Sequence, residues 1–294
     1  MFTGEIFTGR SGRTIGAVAA LATVTALAGC TATAGSGSGP NTVATIAPRV
    51  EPTAPEPNLP AGALPAAGEV GQIKATNGLP QVISSIPTKR KVVFLTIDDG
   101  WEQDPGFVAK VREQRIPITV FAMRDAVEGT GTPDASGGAT HYVGAGKWGY
   151  FRNLREVGVK VENHTLTHPN MRTLPFDAQK QEICRTSTLI RKEIGARPTL
   201  FRPPFGNYNT DTLRAAQTCG INAVLLWTAT VQPGGKIAYQ IPEKRLRPGD
   251  ILLLHFRPNL ARDFQTLVDK IKRRGYELGN LDAYLTAAGI PQPR

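Results

Sequence analysis

From about Lys91 onward, short apolar runs alternate with longer stretches in which apolar and polar positions recur at helical spacing. The runs are Val92–Ile97, Ile118–Met123, Val159–Glu162, Thr199–Phe201, Ile221–Trp227, Ile251–Phe256 and Tyr276–Leu278. Each is too short for a helix and rich in Val, Ile, Leu and Phe, which predicts buried strands. Start and stop signals mark the helices between them. Asp104-Pro105 is a cap followed by proline at the first helical position, Asp177 opens a stretch running to Ile194 and Gly195, and Thr210 opens one ending at Gly220. Strand and helix in alternation predict a parallel α/β fold, and about seven repeats predict a (β/α) barrel. In such barrels the reactive groups sit just past the C-terminal ends of the strands.

Before this region the pattern changes twice. Arg10 and Arg13 precede an apolar run from Ile15 to Leu27 that is shorter than the ~20 residues a membrane span needs. Basic, then apolar, then small residues is the layout of an export signal. Its end, Leu27-Ala28-Gly29-Cys30, resembles the bacterial lipobox, which implies cleavage before Cys30 and lipidation of its thiol. Ala26-Leu27-Ala28 offers a competing site for ordinary signal cleavage. From Thr31 to about Ala66 the chain is Thr, Ala, Gly, Ser and Pro with few large apolar residues, a composition that cannot bury a core. The expected organisation is a signal over 1–29, a disordered tether over 30–66, a lead-in over 67–90 and a catalytic domain over 91–294. The expected location is the outer face of a cell membrane, held by a lipid anchor and facing the wall.

Composition narrows the class. A hydrophobic fraction of 40% with 20% charged residues over 294 positions excludes disorder throughout. The formal charge of +10 is concentrated from residue 87 onward, where 30 Lys and Arg face 20 Asp and Glu. An export signal argues against nucleic acid as partner, and the charge suits anionic wall polymers instead. A monomer is expected. Of three cysteines, Cys184 and Cys219 remain once Cys30 is lipidated; both lie in predicted helices flanking the fourth strand. In an exported protein they form either a disulfide or two buried thiols.

The strand ends carry the candidate chemistry. The first ends in Thr96-Ile97-Asp98-Asp99-Gly100, and the third leads into Asn163-His164-Thr165-Leu166-Thr167-His168. The fourth runs into Phe201-Arg202-Pro203-Pro204-Phe205-Gly206, and the sixth is Ile251-Leu252-Leu253-Leu254-His255. His164 and His168 are four apart, so a helical turn would bring both rings to one side. Two imidazoles and a carboxylate from Asp98 or Asp99 make a three-ligand site with room for water. Each signal alone is weak, since Asp-Asp-Gly is also a turn sequence and paired histidines also pack locally.

Together the four segments resemble the polysaccharide deacetylase family (carbohydrate esterase family 4, similar to chitin deacetylases). Thr96 to Gly100, His164 to His168, Arg202 to Phe205 and Leu252 to His255 stand where that family has its motifs, in the same order. The resemblance covers about Lys91 to Leu281 and implies a distorted barrel of about seven strands. It also implies one divalent metal ion, usually Zn2+, on Asp99, His164 and His168. Asp98 would be the general base, His255 the general acid, and Arg202 the group that orients Asp98 and keeps it ionised. Phe205 and Trp227 would contact the substrate, an acetylated polysaccharide.

One motif departs. Where the family has an aspartate after the fifth strand, this chain reads Leu226-Trp227-Thr228-Ala229-Thr230-Val231-Gln232. Without that carboxylate protonated His255 loses a stabilising neighbour, and weaker activity or a more acidic optimum is expected. Arg124 to Lys147 reads as a long, Gly-rich insertion on the active rim, and Trp101 either stacks on a sugar or packs beneath the rim. The expected activity is removal of acetyl groups from an N-acetylated glycan such as peptidoglycan or chitin. The rivals are an O-acetyl esterase acting on xylan-like polymers and a catalytically weak wall-binding lipoprotein.

Overall fold

In the computed structural model, which describes residues 62–74, 78–131 and 142–292, the apolar runs become strands of one curled sheet. The chain order is β1 (Gln81–Ile83), β2 (Val92–Asp99), α1 (Pro105–Gln114), β3 (Ile118–Ala122), α2 (Arg124–Glu128), α3 (Lys147–Glu156), β4 (Lys160–Asn163) and α4 (Phe176–Ile194). It continues with β5 (Leu200–Phe201), α5 (Thr210–Thr218), β6 (Ala223–Leu225), β7 (Ala229–Gln232), β8 (Lys236–Tyr239), β9 (Ile251–His255), α6 (Leu260–Arg273), β10 (Glu277–Leu278) and α7 (Leu281–Ala287). The spatial order is β1-β6-β5-β4-β3-β2-β9-β7-β8, with β10 beside the lower end of β2. All pairings are parallel except the β7–β8 hairpin.

All seven predicted strands form, and three more were not anticipated. β1 has three residues at one edge, and β7 and β8 make a short hairpin at the other. The sheet therefore remains a half-barrel with two edges. Leu226, Trp227 and Thr228 cross the gap from β6 to β7, with Leu226 N–H donating to Ile83 O at 2.8 Å and Thr228 N–H to Ile251 O at 3.0 Å.

The two faces of β2 explain the layering. All eight of its residues are buried, as expected of a central parallel strand covered on both sides. Val93, Leu95 and Ile97 pack outward with Phe107, Phe151, Leu154, Phe264 and Leu267 from α1, α3 and α6. Val92 and Phe94 point inward, where α7 plugs the base with Tyr284 edge-on to Phe94 at 5.0 Å. By the period of two, Thr96 and Asp98 share that inward face nearer the top.

The helix signals hold with small shifts. Asp104 caps α1 by accepting from Gly106 N–H at 2.8 Å. α5 is capped one residue earlier than expected, by Asn209 in a reciprocal capping box with Thr212. α4 ends at Gly195 in the left-handed region, and Asp177 lies within its first turn. A disulfide joins Cys184 in α4 to Cys219 at the end of α5. The segment expected as an insertion, Arg124 to Lys147, begins with helix α2; residues 132–141 lie outside the described residues.

The lead-in belongs to the fold. Val70, Ile83 and Ile86 join the interior core, and Ala63 N–H donates to Leu278 O at 2.9 Å. Gly62 to Ala66, expected as the end of the tether, are thus already attached to the base. Cys30, the proposed signal and the rest of the tether lie outside the described residues. Among the described residues no helix is long and apolar enough to cross a membrane.

Candidate active site

At the top of the half-barrel, residues following β2, β3, β4 and β5 line one cleft, and β9 ends beside β2. β2 ends in Asp98 and Asp99, both buried. Asp98 continues the strand, whereas Asp99 turns out of it with φ 79° and Gly100 follows at φ 132°. Only glycine suits that position: a Cβ there would lie 2.8 Å from the Phe151 ring and 3.0 Å from Val127. A continuing strand would point the two adjacent carboxylates to opposite faces; the turn brings both to His164, with Asp98 Oδ2 and Asp99 Oδ1 each 3.7 Å from its Nε2.

Asp98 is held from inside the barrel. Arg202, at the end of β5 and 0% exposed, donates from Nη1 to Asp98 Oδ1 at 2.7 Å and to Thr96 Oγ1 at 2.9 Å. Its remaining N–H groups reach Leu225 O and Leu226 O, and its guanidinium lies over the Phe121 ring at 4.2 Å. Thr96 passes the network on by donating to Leu252 O at 2.8 Å. A buried charge so surrounded is paired and almost fully hydrogen-bonded, which makes an ion pair tolerable in the interior.

The two histidines come together, though not on a helical turn. His164 to His168 is a loop in which Thr165 and His168 adopt φ 73° and 58°. Side chains take the backbone donors that a helix would have used. Asn163 Oδ1 accepts from Thr165 N–H at 2.9 Å, and Glu182 Oε2 accepts from Leu166 N–H at 2.8 Å and Thr167 N–H at 3.1 Å. Pro169 follows, which also disfavours helix at His168. The ring centroids of His164 and His168 end 5.0 Å apart.

Asp99, His164 and His168 each offer a ligand atom, and these atoms all lie within 4.8 Å of one another. His164 Nε2 is 3.7 Å from Asp99 Oδ1, and His168 Nε2 is 3.9 Å from it. Ligand atoms around a tetrahedral zinc stand about 3.3 Å apart, so the set is nearly closed around one point. The tautomer also fits. His164 Nδ1 lies 2.7 Å from Arg202 O and donates to it, which leaves the Nε2 lone pair facing Asp99. Burial pushes His164 down to about 3, against the opposing pull of Asp98, so the ring is neutral at pH 7. A neutral imidazole with its second nitrogen oriented by a carbonyl fits a divalent metal.

The other predicted residues are placed as follows. His255, the last residue of β9, pairs in register with Asp98 on the adjacent strand. Phe205 is 60% exposed, adopts φ 60° and lies edge-on to His168 at 4.6 Å. It lines a cleft of about 360 Å³ with Asp99, Trp101, Met123, Asp125, Thr167 and His168. Trp227 is not among the residues lining that cleft; its ring packs against Arg202, and its indole nitrogen is buried without a hydrogen-bond partner among the described residues. Trp101 combines both expectations, since it is buried against Met123 and Ala126 and still lines the cleft. Thr230, where the family aspartate was expected, accepts from Gln240 Nε2 at 3.3 Å within the β7–β8 hairpin.

Four of the eight non-glycine residues with positive φ among those described are Asp99, Thr165, His168 and Phe205. Such backbones cost of order 1–3 kcal/mol each and concentrate where geometry is held for chemistry. Sequence reasoning missed Glu182 and Asn163, whose side chains hold the histidine loop.

Comparison with known proteins agrees with this geometry. Residues 85–224 match the profile of the family described as polysaccharide deacetylase. A protein of Streptomyces coelicolor named only as uncharacterized is 40% identical over 232 residues, covering 77% of this chain and 86% of its own length. The peptidoglycan-N-acetylmuramic acid deacetylase PdaA of Bacillus subtilis is 27% identical over 210 residues, 66% of this chain and 72% of that protein. Among solved structures, a family 4 carbohydrate esterase pseudoenzyme from Bacillus anthracis superposes with a TM-score of 0.57 at 22% identity, covering 70% of this chain and 69% of the other. That likeness concerns the fold. With three of the four motif segments lining one cleft and His255 in register with Asp98, the chain belongs to the polysaccharide deacetylase family.

Proposed function

We propose that this protein is a metal-dependent deacetylase of an N-acetylated glycan, with peptidoglycan as the polymer. The observation that carries it is the neutral, carbonyl-oriented His164 gathered with His168 and Asp99 beside Asp98, whose Oδ1 accepts from Arg202 at 2.7 Å. A divalent ion on Asp99, His164 and His168, most simply Zn2+, would polarise the acetyl carbonyl and lower the pKa of water at that point. Asp98 then acts as general base, because its Oδ1 is occupied by Arg202 while Oδ2 faces the His164 side at 3.7 Å. His255, beside Asp98 on β9, protonates the leaving nitrogen. The backbone N–H near Phe205 supports the oxyanion, and the exposed Phe205 ring offers a face to the sugar.

Peptidoglycan is supported by the name of the PdaA relative and by the export signal read in the sequence. The same reading has Cys30 carrying a lipid that holds the protein on the membrane. The direct test is acetate release from peptidoglycan, chitooligosaccharides and acetylxylan, with and without chelator. Release from the first two, abolished by chelator and restored by Zn2+, with an optimum on the acidic side, is the expected result. Release from acetylxylan alone would make it an O-acetyl esterase. No acetate from any of the three, despite bound metal, would make it a wall-binding protein.

A further inference from the structure

The loop between the two candidate metal histidines is held in a sparsely populated conformation at Thr165 and His168; its carbonyls accept from Arg124 N–H at 3.2 Å and Asp125 N–H at 3.1 Å, and His168 N–H donates to Thr165 Oγ1 at 3.1 Å. Something outside the loop must fix it. Asn163 secures its first N–H, at Thr165, and is itself fixed by donating to Ile183 O and Ser187 Oγ at 2.8 Å each. The next two N–H groups and one hydroxyl all go to a single carboxylate. Glu182 Oε2 accepts from Leu166 N–H and Thr167 N–H, and Glu182 Oε1 accepts from Thr167 Oγ1 at 3.0 Å.

We infer that Glu182 is a positioning residue for the metal site, holding the His164–His168 loop so that both imidazoles face Asp99. This rests on the reading of Asp99, His164 and His168 as metal ligands. Glu182 lies two residues before Cys184, whose disulfide to Cys219 fixes α4 against α5. The carboxylate is thus mounted on a braced helix rather than on a flexible rim. Two amide N–H groups and a hydroxyl point at one spot, and the two carboxyl oxygens of Glu182 accept all three. Without Glu182 the loop amides turn to water, Thr165 and His168 relax from positive φ, and the two imidazoles move apart.

The test is Zn2+ affinity of the full-length protein, by competition with a chromophoric chelator, for wild type, Glu182→Gln, Glu182→Ala and Thr167→Val. Groups that orient metal ligands cost roughly 10–100-fold in affinity when removed. Glu182→Ala is expected to weaken Zn2+ binding near the upper end of that range. Glu182→Gln, which keeps one acceptor, should recover part of the loss, and Thr167→Val, which loses the hydroxyl alone, should fall nearest wild type. kcat should drop in the same order with KM nearly unchanged. Wild-type affinity in Glu182→Ala, with near-ultraviolet dichroism intact, would overturn the proposal. If Glu182→Ala does not fold, wild-type affinity in both Glu182→Gln and Thr167→Val does so instead. A wild-type protein that binds no Zn2+ overturns the metal-site reading itself and is told apart by that result.

Discussion

The mouth and the base of the half-barrel both bury ionisable groups, and they treat them in opposite ways. At the mouth, Asp98 and Arg202 are paired at 2.7 Å, and His164 is kept neutral with its Nε2 facing Asp99. At the base, Glu162 on β4 is fully buried and accepts from Thr199 N–H and Leu200 N–H, while Lys160 pairs with Asp282 on α7. Burial, together with Asp282, raises Glu162 to about 8 in spite of those hydrogen bonds. The mouth therefore holds an Asp98–Arg202 pair beside a neutral imidazole, and the base holds a carboxyl that is protonated at neutral pH and ties β4 to the start of β5. Burial of charge by itself does not mark a functional site; what marks it here is Asp99 and His168 meeting an open cleft with His164 and Asp98 directly behind them.

This contrast makes three predictions. The largest effect belongs to Asp98→Asn, which removes the general base and should cut acetate release by roughly 10²–10⁴-fold. A drop below tenfold would move the base elsewhere. Next is Arg202→Met. It leaves Asp98 as a buried charge without its partner and should cost about 3–5 kcal/mol of stability in urea unfolding, besides the activity. An unchanged midpoint would show that the pair is not holding the mouth. The smallest effect is at the base, in Glu162→Gln. A carboxyl raised from 4.5 to about 8 on folding contributes stability that is full below pH 4.5 and declines as pH rises through 8. Wild-type stability should fall across that window, whereas Glu162→Gln should hold a flatter profile with unchanged acetate release. Lost activity in this variant would erase the distinction between the two ends.

The mouth was far more legible in the sequence than its supports. Asp98, His164, Arg202 and His255 could be found because each ends an apolar run, and a parallel sheet brings such ends to one rim. The seven main strands were legible for the same reason. β1, β7 and β8 were not, since three or four residues at a sheet edge carry no run to detect and β8 begins with Lys236 in solvent. The histidine spacing suggested a helical turn; the structure shows a loop, because Asn163 and Glu182 outcompete the helical hydrogen bonds for Thr165, Leu166 and Thr167. Glu182 itself looks like any polar residue on α4. Its role depends on a contact 16 positions away that no local pattern encodes.

The attachment at Ala63 has a mechanical side. Ala63 N–H bonds to Leu278 O, and Asn280 N–H bonds back to Ala63 O, so the first described residues are moored to the closed end of the half-barrel beside β10 and β2. A pull along the chain from its N-terminal side enters the fold there, at the pole away from Asp99 and His168. The bonds at that point run to β10, which pairs with the central strand β2, and to Asn280, the cap of α7. The mooring and the cleft thus lie at opposite ends of β2.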